Sequence, residues 1–497
     1  MKKNLITLLW VIGIIVVVNF LANEFFFRID TTADRVYTLS DATKNVIKSV
    51  EEPMTITAYF TDDLPQQYAK GLSDFKDLLK EYSTRSIGTI NYEFVSPNDS
   101  PEKEQEAMQS GIQPLLINDR NKDEVIQMKA FMGAILKQGD RQEIIPFVNP
   151  SGAMEYQLTT TIKKLSVADK PSVAFIQGLG CPSIQDLPQV NEALGVLYNI
   201  ESVTLNEEIP AHNRAVILLN PSDSIPLNQF QFLENYMANG GKVCVAFNAL
   251  TGNFQTVQGE EVNNGVKEWL ATKGINVQPA FVMDANCGAI SVQQKQGFFS
   301  YSSQIEFPYF PLINKFEEHP ITKGLDQMMF QFASPITYDG KAQFTPLIKS
   351  SERSLVQSLP VMFDVQRKWT ARDFPGPSQV IGAVFEGDLT GTGAESDLVV
   401  FTDGDFPIGG GGRSNSNADN YSLLVNAVDW LSDDTGLIDL RTKGVTSRPI
   451  EELEDGKKSL LKWGNFLLPL ILVALLGFFR TQKAKSVRMK RMQERYV

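Results

Sequence analysis

Histidine and cysteine are scarce in this chain of 497 residues: two histidines, His212 and His319, and three cysteines, Cys181, Cys244 and Cys287. No two cysteines stand in C-x-x-C spacing and their number is odd, so no disulfide framework is read. Two histidines leave a zinc site or a His-based catalytic triad short of material. The phosphate loop G-x-x-x-x-G-K-[ST] is missing, and with it the N–H cradle and lysine that hold a nucleotide. There is no internal repeat and no extended low-complexity tract. Basic residues are sparse outside the chain ends. Setting aside Lys2, Lys3 and the tail from Arg480 onward removes nine of 46 basic and one of 58 acidic residues, leaving a net charge of −20 against −12 for the whole. Such a body is unsuited to nucleic acid, whose phosphates need clustered Lys and Arg.

Long apolar runs are present at both ends. Residues Trp463 to Phe479, WGNFLLPLILVALLGFF, carry no charge and cover about 25 Å as a helix, close to a bilayer's hydrocarbon thickness. Leu460 and Leu461 extend the run, and Pro469 inside it is tolerated in a membrane helix. A basic tail follows: Arg480, Lys483, Lys485, Arg488, Lys490, Arg491 and Arg495 against one acid, Glu494. Positive flanks mark the cytoplasmic side, and they suit anionic lipid heads. Residues 5–27 form a second expected span, preceded by Lys2 and Lys3. It is longer than a signal-peptide core and lacks a small-x-small cleavage site, so it reads as an uncleaved anchor. Both termini then lie in the cytoplasm, with residues 28–460 across the membrane.

Between the spans the pattern is α/β. Residues 35–166 read as one domain. Ser40 caps a helix carrying Val46, Ile47 and Val50. MTITAYF (54–60) and TINYEFV (89–95) alternate as strands, with a helix over 68–82 between them and a short polar one at 102–109. A third strand at 113–119, further strands around 125–131, 133–137 and 143–147, and a helix at 155–165 complete it. The order resembles a thioredoxin-like domain, although the loop after its first strand, TDDLPQQ, has no cysteine and would be redox-dead. Residues 170–435 read as a second, doubly wound parallel-sheet domain with an insertion. Apolar strands at 171–178, 215–220 and 242–247 alternate with helices at 189–199 and 227–238, the latter stopped by Gly240–Gly241. The aromatic stretch Phe298–Phe310 is either packed strands or an exposed partner surface. SDLVVFT (396–402) pairs with a neighbour at 379–385, Asp403–Asn420 is a Gly/Asn-rich loop, and 421–431 is a helix. Residues 436–459 connect to the last span at 460–479, and 480–497 is the tail.

Chemistry is thinly supported. Gly178-Leu-Gly180 follows a strand, but Ser183 stands where a dinucleotide fingerprint has its third glycine. No G-x-S-x-G surrounds Ser222 or Ser224, and His212 lies at the wrong end of their strand. Cys181 has no positive neighbour to lower its thiol pKa, and Cys244 in KVCVAF reads as core. Asp403, Asp405 and Asp419 bracket the Gly-rich loop without EF-hand spacing. No catalytic, cofactor-binding or metal-binding residue is assigned.

The segments DRVYTLSDATKNVIKSVEEPMTITAYFTDDLP (34–65), the strand-helix-strand block around Leu227–Phe247, DLVVFTDGDFP (397–407) and NAVDWLSDDTGLIDLRTKGVTSRPI (426–450), with the closing span and basic tail, resemble the GldG family. That family is an auxiliary component of an ABC transporter linked to gliding motility and adhesin secretion in Bacteroidetes. The resemblance implies a cytoplasmic ATPase subunit and a multi-span permease as partners, a large periplasmic part, and a second domain with the amidotransferase-like fold of the group, lacking its catalytic cysteine and histidine. No cofactor is implied. The alternatives are a free-standing cell-envelope sensor or scaffold, and a membrane-anchored hydrolase or oxidoreductase.

Overall fold

The computed structural model describes residues 38–62, 64–121, 124–149, 154–166, 170–296, 299–408, 418–433 and 455–493. The chain divides into two compact units, Met1–Thr446 and Ser447–Val497. The span expected at 5–27, with Lys2 and Lys3, lies outside the described residues, as do positions 409–417 of the Gly-rich loop and tail residues Glu494 and Arg495.

The large unit opens with α1 (Asp41–Lys48), where the Ser40 hydroxyl accepts the Thr43 N–H, satisfying a donor left over at the helix start. It continues through β1 (Met54–Phe60), α2 (Gln66–Arg85), β2 (Ile90–Val95), α3 (Pro101–Gln109), β3 (Leu115–Asn121), β4 (Glu124–Ala130), β5 (Met132–Gln138), β6 (Arg141–Ile145) and α4 (Met154–Ser166). Four of these strands form a sheet in the order β2-β1-β5-β6, parallel between β1 and β2 and antiparallel elsewhere. The strand expected at 113–119 does not extend that sheet. As β3 it pairs with β4 alone, Leu115 opposite Ala130. Alternating residues of β1, Met54, Ile56 and Ala58, meet Phe75, Leu79 and Tyr82 of α2 and Leu158 and Ile162 of α4 in one core. Glu155 ties the helices together, its Oε1 accepting the Ser40 N–H at 2.8 Å and the Thr43 hydroxyl at 2.6 Å.

The chain then builds a seven-stranded sheet from β7 (Ser172–Ile176), α5 (Pro188–Gly195), β8 (Asn199–Val203), β9 (Asn213–Leu219), α6 (Leu227–Ala238) and β10 (Lys242–Ala246). An insertion follows: β11 (Leu250–Asn253), β12 (Gln258–Glu261), α7 (Val266–Ala271), β13 (Ile275–Val277), β14 (Ala280–Asp284), β15 (Cys287–Gln296), β16 (Phe299–Ile313), β17 (Met328–Met329) and β18 (Ile336–Tyr338). The large unit closes with β19 (Gln343–Lys349), β20 (Ser354–Ser358), β21 (Val380–Gly387), β22 (Ser396–Phe401) and α8 (Ala418–Ser432). The sheet order is β19-β21-β22-β10-β9-β7-β8. Its strands from β22 to β8 run parallel, as the apolar strand and helix alternation predicts. The expected all-parallel sheet is corrected at one edge, where β21 and β19 run antiparallel. The short turn from Gly387 to Ser396 leaves no room for a crossover helix, so β21 and β22 must form a hairpin.

Period-two alternation sends the two halves of each strand to two cores. Val173, Phe175, Ile217, Cys244, Val399 and Phe401 face α5 and α8. Ala174, Ile176, Val216, Val243, Val245 and Val400 face α6 and α7. Helical cover on both faces explains why these strands read as unbroken apolar runs. The insertion has its own aromatic core. Phe307, Tyr309 and Phe310 of β16 are buried among Phe281, Phe332 and Phe363, so this part of the aromatic stretch is packed strand rather than exposed surface. The side chains of Phe298, Phe299 and Tyr301 lie outside the described residues. At the far end of α8, Lys163 of α4 meets Asp433 at 3.3 Å.

The second unit is α9 (Asp455–Gln493), a single 39-residue helix. It is continuous across the expected junction between span and tail, and its apolar side chains stand exposed. Among the described residues it is the one helix long and apolar enough to cross a membrane.

Candidate functional site

The strand order places a topological switch point in the parallel part of the sheet. From β7 the chain moves outward to β8 and then returns to β9 on the other side of β7. Ligands of such sheets bind beyond the carboxyl ends of the strands flanking that reversal. Here the two flanking loops are Gln177–Ser183 and Asn220–Ser224, joined by the turn after β22.

The first loop passes through three successive left-handed residues, Gly178 (φ +78°), Leu179 (φ +58°) and Gly180 (φ +71°). An ideal Cβ at position 180 would fall on the Ser222 hydroxyl, so glycine is required there. The Asp223 N–H donates to the Leu179 carbonyl at 3.0 Å and the Ser222 hydroxyl to the Gly180 carbonyl at 3.4 Å. The Gly-Leu-Gly motif is therefore a packing turn. A phosphate loop runs directly into a helix N-terminus, whereas α5 begins only at Pro188.

Behind these loops lies a carboxylate–amide lattice. Asn220, itself left-handed at φ +43°, ends β9, and its Nδ2 donates to Asp405 Oδ1 at 2.8 Å. Asn248, just past β10, donates from Nδ2 to Asp405 Oδ2 at 2.7 Å, and its Oδ1 accepts the Gly404 N–H at 2.7 Å. A Cβ on Gly404 would sit 2.6 Å from Asn220 Oδ1, so the turn can close only over glycine. Asp403 accepts the Asp405 N–H at 2.7 Å and the Gln331 N–H at 2.6 Å. It is fully buried; desolvation, and then the nearby charge of Asp405, push its carboxyl well above the ordinary range.

This arrangement decides the fate of the sequence candidates. Asp403 and Asp405 come together, but their oxygens are taken by backbone and amide N–H groups. Asp419 is used elsewhere, accepting the N–H groups of Asp326 and Gln327 at 3.0 and 2.8 Å. Among the described residues no group of three or more His, Cys, Asp or Glu is placed to hold a metal ion. Cys181 and Ser222 are brought to the same crevice, with Asp223 beside them and neither histidine. Burial, with Asp223 adding to it, raises the Cys181 thiol to about 12 and keeps it protonated. Ser224 is exposed. His212 pairs with Glu201 at 2.9 Å beside the amino end of β9, separated from Ser222 by a seven-residue strand that spans about 23 Å. His319 packs against Trp430 and accepts the Ile321 N–H. Cys244 is core, fully buried in the sheet. Sequence reading missed Asn220 and Asn248, although both stand just past the carboxyl ends of apolar strands, where a switch-point search would find them.

Asn248→Ala is expected to lower stability by about 1–3 kcal/mol, since it removes a donor to Asp405 and orphans the buried Gly404 N–H. Denaturant unfolding of the full chain, with hydrogen exchange of residues 403–408, measures this. Unchanged exchange there would mean that the lattice does not hold the turn.

A family model described as an ABC-type uncharacterized transport system matches residues 170–436, and a domain of unknown function (DUF7088) matches residues 33–137. An uncharacterized protein of Borreliella burgdorferi is 21% identical over 492 residues, covering 92% of this chain and 94% of that protein. Among solved structures, the mmIFT52 N-terminal domain aligns with TM-score 0.35 and 14% identity over 52% of this chain and 97% of its own. A putative ThuA-like protein from Parabacteroides merdae aligns with TM-score 0.27 and 14% identity over 58% and 94%. TM-scores this low do not establish a shared fold.

Proposed function

This chain belongs to the ABC-type uncharacterized transport system family, and from that membership we propose that it is a non-catalytic subunit that engages substrate or couples it to transport. As an auxiliary component of an ABC-type transport system, it would work with a cytoplasmic ATP-hydrolysing subunit and a multi-span permease. In this reading it is held in the inner membrane by two spans, with both termini cytoplasmic and residues 28–460 periplasmic. The apolar α9 with its basic end supports the anchoring. The GldG resemblance of the segments quoted above extends the reading to gliding motility and protein secretion. The order β2-β1-β5-β6 supports a thioredoxin-like first domain, and helical cover on both faces of the seven-stranded sheet supports an amidotransferase-like second one.

The observation that carries the non-catalytic assignment is the closed lattice at the switch point. Asp405 has both oxygens bonded to Asn220 and Asn248, and the nearby Cys181 thiol is held protonated. Such a rim can present a fixed shape to a ligand, and the one carboxylate beside the Cys181 thiol, Asp223, adds to the burial that holds it protonated instead of activating it. Affinity isolation of the full chain from native membranes is expected to recover an ATPase and a permease together. Repeated recovery of the chain without either would support a free-standing envelope sensor or scaffold, and turnover of a substrate by the chain alone would restore the enzyme reading.

A further inference from the structure

α9 does not end where its apolar stretch ends. Leu460–Phe479 covers about 30 Å of rise, enough for the hydrocarbon core. The same helix continues through Arg480–Gln493, about 20 Å further. Along Arg480–Lys490 stand Arg480, Lys483, Lys485, Arg488 and Lys490, with no acidic residue among them.

At about 100° per residue these five side chains spread around more than half of the helix circumference. The remaining arc carries Gln482, Ser486 and Met489 and forms no continuous apolar face. An interfacial helix needs such a face to lie in the membrane plane. The segment is therefore built to continue outward, and the head-group layer adds only about 5–7 Å on each side of the hydrocarbon. Arg480 and Lys483 fall within that layer. Arg488 and Lys490 lie about 12 and 15 Å past Arg480, both beyond the head groups, with Lys490 at about a Debye length of 8 Å from them and Arg488 just inside it.

We propose that the distal half of this extension, centred on Arg488 and Lys490, is a basic rod that docks on an acidic protein surface on the cytoplasmic side. The proposal rests on the orientation given above, with the carboxyl terminus cytoplasmic. Charge selects the occupant. A second copy presents the same positive rod and is repelled, and in the orientation proposed above the acidic body of this chain would be across the membrane. Lipid heads touch the proximal cations directly and meet the distal ones only through a field weakened over about a Debye length.

The test uses the full chain in native membranes, with a photocrosslinking residue at Met492 and a green fluorescent protein fused at the carboxyl terminus. Fluorescence reports cytoplasmic placement independently of docking, so its loss would mark failure of the orientation and not of the contact. With fluorescence retained, the expected result is one protein adduct whose crosslinked peptide is acidic. That adduct should fall about tenfold in Arg488→Glu/Lys490→Glu, through like-charge repulsion, and persist in Arg488→Lys/Lys490→Arg and in Arg480→Glu/Lys483→Glu. Adducts to lipid or nucleic acid only, no adduct, or a protein adduct insensitive to the distal reversal would each overturn the proposal.

Discussion

Replacing Phe281 with alanine is expected to destabilise the large unit by about 3–5 kcal/mol, the range for deleting a fully buried aromatic ring. Phe281 sits in β14 with no exposed surface. Its ring centroid lies 5.5 Å from Tyr309, 5.6 Å from Phe332 and 5.9 Å from Phe363. The space above Gly259 is already filled by this ring, since a Cβ there would come within 2.5 Å of it. Truncation leaves a cavity that rigid strands on several sides cannot close. Met362→Ala is the matched control. Met362 is 72% exposed, and its loss should change stability by no more than about 0.5 kcal/mol. Denaturant unfolding followed by tryptophan fluorescence separates the two, and equal midpoints would show that the insertion's aromatic core contributes little.

The second large effect concerns α9. Ile471→Arg and Leu472→Arg place charges at the middle of its apolar stretch, at about 2.5–3.5 kcal/mol each on insertion scales. In the proposed topology the expected result is loss of fluorescence from a carboxyl-terminal green fluorescent protein, because the helix would fail to cross and the tail would stay outside. Lys462→Ala, near the start of the stretch, should leave fluorescence unchanged. Full fluorescence in the double arginine variant would refute the spanning role.

Most elements were legible because local pattern and tertiary demand agree. MTITAYF forms a strand over the predicted residues, and Leu227–Ala238 forms the predicted helix. The fate of β3 was not legible: QPLLIND has strand composition, but nothing local says whether its partner is the main sheet or the next hairpin strand. The antiparallel edge was equally hidden, because Val380–Gly387 is as apolar as its parallel neighbours and only the short connection to Ser396 sets its direction. At the site, Gly180, Ser222, Asp403 and Asp405 were visible as residue types. The lattice was not, since Asn220, Asn248 and Asp405 meet across sequence separations of up to 185 residues.

One ion pair has a mechanical consequence. Lys163 of α4 and Asp433 at the end of α8 join the first sheet's core to the last helix of the second. Tension applied to the backbone downstream of Asp433 would be passed to α4 through that contact as well as to α8. A tug from that direction would be felt by both halves at once, with Leu197, which packs against both cores, sharing the load.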